Sequence, residues 1–324
     1  MSDESFVEKH YARHAKHFEN DLIDADRIRI SESWFDESTA DYWRHARAYE
    51  CAELLSGSGL EATWLTVGDG RWGLDAFRLR KKGYTSVLAT DISEALLRRA
   101  KEKGLIDTYA VENAEKLSFL DRSFDYVFCK ESLHHFPRPY VALYEMLRVA
   151  RKGVFIIEPN DTYDFVFPEM QATRLGIRAR IMAGLRLMKS GVAGRRTGDD
   201  RRPTVKYNPP DWESSGNFVY AISRREVEKI ALGLNLPQVV VKGLNDHYVK
   251  GCEFEPADEV RSAVFRELIS VIRGKDELCR RGVADSNLIM AGFLLDRFDA
   301  GTAQRFVAEG WDVVDLPRNP YISG

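Results

Sequence analysis

Apolar and polar positions along the chain form short apolar runs separated by amphipathic segments, a pattern typical of a sheet covered by helices. The first apolar run, residues 64–67, predicts a buried strand, and the glycine-rich residues 68–73 predict the turn that leaves it. An amphipathic helix is expected through Lys82, and a second apolar run over residues 86–90 ends at Asp91. This order of strand, glycine turn, helix, strand and acid predicts one half of a doubly wound α/β sheet, which binds its ligand at the carboxyl ends of the strands.

The remaining apolar runs extend the predicted sheet to seven strands. The first five are expected to end near Gly68, Asp91, Val111, Lys130 and Glu158. The sixth and seventh are expected over residues 237–242 and 288–295, with helices over residues 223–234 and 257–281. After Ala300 we expect only a short helix and a proline-rich end.

Composition narrows the class of protein. A formal net charge of −3 argues against a general polyanion binder, so we expect no nucleic-acid partner. The four cysteines lie far apart and form no Cys-x-x-Cys pair, which indicates free thiols in a reducing cytoplasm. No apolar run reaches membrane-spanning length, and the first residues lack the features of a signal peptide. We therefore expect a cytoplasmic protein.

Further segments follow Asp91 in a recognisable order: residues 111–115, 124–131, 132–136 and 154–159. Together with the glycine turn, they resemble the class I methyltransferases that use S-adenosylmethionine (SAM). The likeness is to the methyltransferase-11-like branch, whose fourth strand reads Phe-Asp-x-Val and leads into a His-bearing segment. The resemblance implies a Rossmann-like α/β fold with a seven-stranded sheet, helices on both faces, an N-terminal helical cap and a helical insertion after strand five. The last strand is expected to lie antiparallel beside strand five.

The same resemblance implies a SAM site. In this family the glycine turn wraps the amino-acid end of SAM, the acid after strand two holds the ribose hydroxyls, and the pair after strand three holds the adenine edge. By position, these roles fall to Gly68 and Gly70, to Asp91, and to Asn113 with Ala114. Ile92, Glu115 and Lys130 complete the predicted cofactor residues.

Two of the predicted cofactor residues have a second possible role. Thr66 stands where the family often has an acid, and an acid lies instead inside the turn at Asp69. Asp69 is expected to shape the backbone or to contact the amino group of SAM. Arg47, on the helix before strand one, is a candidate for the methionine carboxylate, because Arg binds carboxylates through paired hydrogen bonds. The alternative is a solvated helix Arg.

The candidate catalytic residues are histidines. A hydroxyl acceptor benefits from a general base, because its proton leaves as the new bond forms. His134 and His135 follow strand four, with Glu131 before them, and we prefer His135; the alternative is that both pack the next helix. His247, beside Asp246 after strand six, is a third candidate, for which a substrate contact is favoured over catalysis. No tight carboxylate cluster is visible, so no metal is expected.

The predicted organisation has four parts. These are an N-terminal helical cap (1–55), a SAM-binding half (56–160), a basic helical insertion or substrate lid (161–221) and the rest of the sheet with the tail (222–324). The Arg- and Lys-rich residues 171–206 of the insertion could lie on a membrane surface, bind a phosphate-bearing acceptor, or form a packed helix with a solvated basic face. We slightly favour the packed helix.

The substrate is predicted from a narrower resemblance. Residues 128–139 and 142–149 resemble bacterial methyltransferases of surface-polysaccharide and sugar-modification pathways. This implies O-methylation of a sugar hydroxyl on a glycan, nucleotide sugar or lipid-linked saccharide. The alternatives are N-methylation of an amino sugar or other small molecule, an NAD-dependent oxidoreductase, and a non-catalytic SAM-binding module. The motif at Asn208 resembles that of nucleic-acid amine methylases but lies one strand too late, so we expect a proline turn there.

Overall fold

The chain is built around a mixed β-sheet. The computed structural model describes residues 3–19, 22–161, 212–213 and 216–322. Within them, the strands are β1 (Trp64–Val67), β2 (Val87–Asp91), β3 (Tyr109–Val111), β4 (Phe124–Lys130), β5 (Ala150–Pro159), β6 (Gln238–Leu244), β7 (Leu288–Leu294) and β8 (Asp312–Asp315). Their order is β3-β2-β1-β4-β5-β7-β6-β8. Strands β1 to β5 are parallel, and β7 lies antiparallel between β5 and β6, as predicted.

Within the described residues, four α-helices come before the first strand along the chain, and further helices follow between and after the strands. They are α1 (Asp3–Glu19), α2 (Ala25–Ser33), α3 (Ala40–Ala46), α4 (Glu50–Ser56), α5 (Leu74–Lys81), α6 (Glu94–Glu102), α7 (Pro139–Val149), α8 (Arg224–Gly233), α9 (Ala263–Arg280) and α10 (Ala300–Ala308). The capping box of Ser223 and Glu226 begins α8. Helix α9 begins later than predicted, because the Ser262 hydroxyl accepts the Phe265 N–H and caps it there.

The central strands are apolar because both faces of the sheet are covered. Trp64, Phe128 and Phe155 belong to one buried cluster, which includes residues of α4, α5 and α10. Val127 and Ile156 belong to the other, which includes residues of α7 and α8. Burial on both faces produces continuous apolar runs rather than alternation, which is why these strands are readable from the sequence.

The prediction of seven strands was wrong by one. The eighth strand, β8, pairs antiparallel with β6 at the edge of the sheet. Its sequence, Asp-Val-Val-Asp, holds only two apolar residues, and the strand is formed by pairing with a distant part of the chain. Local pattern carries no signal for such a short edge strand. The predicted helix in the tail is confirmed as α10.

Several predictions fall beyond the part of the chain that the structure describes. The basic residues 171–206 and the motif at Asn208 lie outside it. The division of the chain into four parts therefore stays a prediction. In the described residues, no helix combines the length and the apolar character needed to cross a membrane.

Candidate active site

A cavity of about 730 Å³ opens at the carboxyl ends of β1, β2 and β4. Strand β1 has β2 on one side and β4 on the other, so the chain reverses its direction of winding here, and ligands of open α/β sheets bind at such a switch point. The helices before the sheet complete the wall, α1 with Tyr11 and His14 and α3 with Asp41 and Arg44. The volume is that of a small-molecule site.

The glycine turn brings three loops close together beside this cavity. Gly68 has a φ of +76°, and a Cβ there would lie 2.5 Å from the Cβ of Ser132 after β4. A Cβ on Gly70 would lie 2.6 Å from the carboxylate of Asp91 after β2. Both glycines line the cavity. They are required because a side chain at either position would collide with the neighbouring loop.

Asp91 lies at the cavity wall as predicted, beside Ile92. One carboxylate oxygen accepts the Ser93 N–H at 2.8 Å. Burial raises the pKa of Asp91 to about 6, against the opposing hydrogen bonds from backbone N–H groups. The carboxylate is therefore ionised at neutral pH, and an ionised carboxylate is a strong acceptor for a pair of hydroxyl groups.

Asp69 also lines the cavity, but its carboxylate is hydrogen-bonded to neighbouring residues of β1 and α5. One oxygen accepts the Asp75 N–H at 2.9 Å, and the other accepts the Ala76 N–H at 2.9 Å and the Thr66 hydroxyl at 2.7 Å. These contacts bind N–H groups at the start of α5. Of the two roles left open by the sequence, this geometry favours shaping of the backbone.

Replacing Asp69 with alanine is expected to lower the free energy of unfolding by about 2 kcal/mol, because two buried N–H groups lose their acceptor. Urea unfolding measures this loss, and the dissociation constant of SAM is measured on the same protein. An unchanged free energy of unfolding, together with weaker SAM binding, would assign Asp69 to the cofactor's amino group instead.

The predicted adenine pair is only partly at the cavity. Ala114 lines it, whereas Asn113 and Glu115 do not. The Asn113 side-chain oxygen accepts the Glu115 N–H at 2.8 Å and so shapes the turn. Glu115 is buried and binds the Arg138 backbone N–H at 2.9 Å, and its carboxylate also forms an ion pair with the Arg138 side chain.

Two arginines line the cavity, Arg71 in the glycine turn and Arg44 on α3, and neither was among the predicted site residues. Arg47 lies outside the cavity lining and donates to the Asn245 carbonyl at 2.8 Å. Arg44 pairs with Asp41 at 3.0 Å, one helical turn earlier, and with Asp246 after β6. The Asp-x-x-Arg spacing was the available signal for a fixed Arg on this helix.

Lys130 and Glu131 extend the cavity wall from the end of β4. They form an ion pair with each other. Burial lowers the pKa of Lys130, but Glu131 and Asp75 outweigh it, so the pKa lies above its ordinary value. Glu131 has a φ of +48°, a strained backbone conformation for a side chain of this kind.

Four side chains meet at the carboxyl ends of β4 and β5. The His134 Nδ1 hydrogen-bonds Oε2 of Glu158 at 2.5 Å, and its Nε2 lies 3.7 Å from Oε1 of Glu213. The Nδ1 of His135 lies 3.3 Å from Oε2 of Glu213. His134, His135 and Glu213 line the cavity, and we call these three residues the histidine wall. Glu158 ends β5 beside β4, so its approach to His134 could have been predicted; Glu213 carried no sequence signal.

The two histidines of the wall differ in charge. Burial lowers the pKa of His134, but Glu158 and Glu213 outweigh it and raise the pKa to about 10. Burial and the neighbouring His134 charge lower the pKa of His135 to about 3. At neutral pH, His134 is therefore protonated between two carboxylates and His135 is neutral.

The third candidate, His247, is not among the described residues that line the cavity, although Tyr248 is. The carboxylate of Asp246 is bound by Arg44 and lies 3.4 Å from Arg47. The expected Asp246–His247 pair would have to share that carboxylate with two arginines.

The chain is similar to a methyltransferase family and to several solved structures. Residues 65–157 match the family model described as a methyltransferase domain. The structure of YcgJ from Bacillus subtilis is 16% identical and covers 77% of this chain and 100% of its own, with a TM-score of 0.44. A SAM-dependent methyltransferase from Thermotoga maritima is 16% identical and covers 82% and 99%, with a TM-score of 0.39. At such low identity and TM-score, neither structure bears on the acceptor. No curated protein matches the chain.

Residues 65–157 match a methyltransferase domain, and the cavity lies at the switch point of the sheet that these residues build. The chain is a SAM-dependent methyltransferase, and SAM is its cofactor. This disfavours an NAD-dependent oxidoreductase and a non-catalytic module. The cavity fits SAM: its wall carries the ionised Asp91, and the glycine turn brings backbone to the cavity without side chains.

Proposed function

We propose that this methyltransferase transfers the methyl group to a hydroxyl oxygen of a sugar, carried on a glycan, a nucleotide sugar or a lipid-linked saccharide. SAM supplies a methyl group that its sulfonium already activates. The chain must then align the acceptor oxygen and take up its proton. The histidine wall carries the proposal, because it presents an imidazole and a carboxylate 3.3 Å apart at the cavity.

We assign one part of the cavity to SAM and the other to the acceptor. Asp91 and Ile92 hold the ribose, Ala114 the adenine side, and Gly68, Gly70 and Lys130 the amino-acid end. Arg44 replaces Arg47 as the proposed partner of the methionine carboxylate, because Arg44 is the one of the two that lines the cavity. The acceptor hydroxyl lies against His135 and Glu213.

The sugar class rests on the narrower sequence resemblance, which also suggests a role in polysaccharide biosynthesis. We test it by methyl transfer from radiolabelled SAM into fractionated extract of the source cells. Label is expected in the glycan or sugar-nucleotide fraction, and a reaction with excess S-adenosylhomocysteine serves as the control. Label confined to protein, nucleic acid or unrelated metabolites would overturn the sugar assignment while leaving the methyltransferase activity intact.

A nitrogen acceptor is the second candidate function. Asp41, Glu213 and Glu253 all line the cavity, and carboxylates favour a cationic amino group. An ammonium group bound there must first lose a proton to one of these carboxylates or to water. The neutral amine then carries a free lone pair, so its attack on the methyl group needs no histidine base. Variants of the histidine wall would then keep most of their activity.

A further inference from the structure

The histidine wall has the donor set of a metal site. One donor atom from each of His134, His135 and Glu213 lies within 4.8 Å of the others, and no other such group of three occurs in the residues that the structure describes. The Glu213 carboxylate spans both histidines, with one oxygen 3.7 Å from Nε2 of His134 and the other 3.3 Å from Nδ1 of His135. Small shifts of these side chains, with release of the proton on Nε2 of His134, would bring all three donors to one ion.

A buried carboxylate orients the first of these ligands. Glu158 is completely buried and hydrogen-bonds Nδ1 of His134, which directs Nε2 toward Glu213. The other oxygen of Glu158 accepts the N–H groups of Ser132 at 3.1 Å and Leu133 at 2.9 Å. A carboxylate that holds the far nitrogen of a histidine is the usual outer support of a histidine metal ligand. Its rigid attachment to the β4 loop fixes the ring.

We propose that His134, His135 and Glu213 bind a divalent transition-metal ion. Two imidazoles and one carboxylate suit Zn²⁺ and neighbouring ions, whereas Mg²⁺ and Ca²⁺ prefer oxygen ligands alone. Three protein ligands leave coordination positions open, as in catalytic zinc sites. Because all three residues line the cavity, those positions face the space where we place the acceptor oxygen. That last use rests on the proposed function; the binding of the ion does not.

Metal binding is measured directly on the full chain, freed of any polyhistidine tag and treated with a chelator. Calorimetry with Zn²⁺ is expected to show one equivalent bound with a micromolar or lower dissociation constant, and Co²⁺ should give visible absorption bands. His134→Ala is expected to weaken binding at least 100-fold, and Glu158→Gln about 10- to 100-fold. Glu253→Gln is the matched control, since Glu253 lines the cavity outside the group, and its binding should be unchanged.

The proposal fails if the wild-type chain binds neither ion, or if His134→Ala and Glu213→Gln bind as tightly as wild type. Because Glu213 is 40% exposed, its variant should keep the fold, and circular dichroism checks this for every variant. Metal binding without transfer to a hydroxyl would overturn only the proposed function. Transfer to a hydroxyl by a chain that binds no metal would overturn only the metal site.

Discussion

Replacing Asp91 with alanine is expected to weaken SAM binding at least about 100-fold. A hydrogen bond to a charged group contributes about 1.5–3 kcal/mol, and a ribose diol can donate two to this carboxylate. The carboxylate is ionised at neutral pH and lies directly against Gly70 of the glycine turn. Calorimetry with SAM measures the effect. The free energy of unfolding should change little, in contrast to Asp69→Ala.

The pH dependence of SAM binding tests the same contact. Burial raises the pKa of Asp91 to about 6, so the carboxylate is ionised above that pH and protonated below it. SAM affinity should therefore be constant above about pH 7 and fall by up to tenfold per pH unit below about pH 6. Asp91→Asn is the matched variant and should lack this fall. A wild-type affinity that does not fall below pH 6, or a fall that Asp91→Asn shares, would exclude Asp91 as the titrating contact.

Replacing His135 with alanine is expected to lower kcat for a hydroxyl acceptor by about 10²- to 10⁴-fold, the usual range for loss of a general base or an acceptor-positioning group. SAM affinity should stay within about threefold of wild type, because His135 lines the part of the cavity that we assign to the acceptor. The measurement combines steady-state kinetics with calorimetry. His134→Ala should show a similar fall in kcat, but it also leaves the buried Glu158 carboxylate without its charged partner.

Two companion variants sharpen this test. Glu213→Gln keeps the shape of the wall and removes its negative charge, so kcat should fall while the fold is retained. His247→Ala tests the third candidate from the sequence, and its effect should be smaller than that of His135→Ala, since His247 does not line the cavity. Nearly silent variants at both His134 and His135 would favour a nitrogen acceptor.

Much of the fold was predictable because its central strands are buried on both faces. Trp64–Val67 and Leu288–Leu294 are wholly buried, so they read as apolar runs. The edge strand β8 was missed because its two valines are only half-buried and its pairing with β6 is set by tertiary contacts. The start of α9 was misplaced because the cap at Ser262 was not recognised among the polar residues before it.

Residues of the candidate site were predictable where they lie at the ends of strands. Gly68, Gly70 and Asp91 lie at strand ends, and parallel strands bring their carboxyl ends together. Arg47 was predicted and Arg44 was not considered, because a helix pattern alone does not say which residue of one turn faces the cavity. The contact of Glu213 with His135 joins distant parts of the chain, and spacing along the sequence cannot reveal it.

The proposed O-methylation is tested by identifying the atom that receives the methyl group. The full chain is incubated with SAM labelled with carbon-13 at the methyl group and with the fraction that accepts label, and the product is examined by nuclear magnetic resonance. We expect a methyl carbon bound to oxygen on a sugar ring, and at least about 100-fold slower formation of this product with His135→Ala. A methyl carbon bound to nitrogen, carbon or sulfur would contradict the proposed O-methylation.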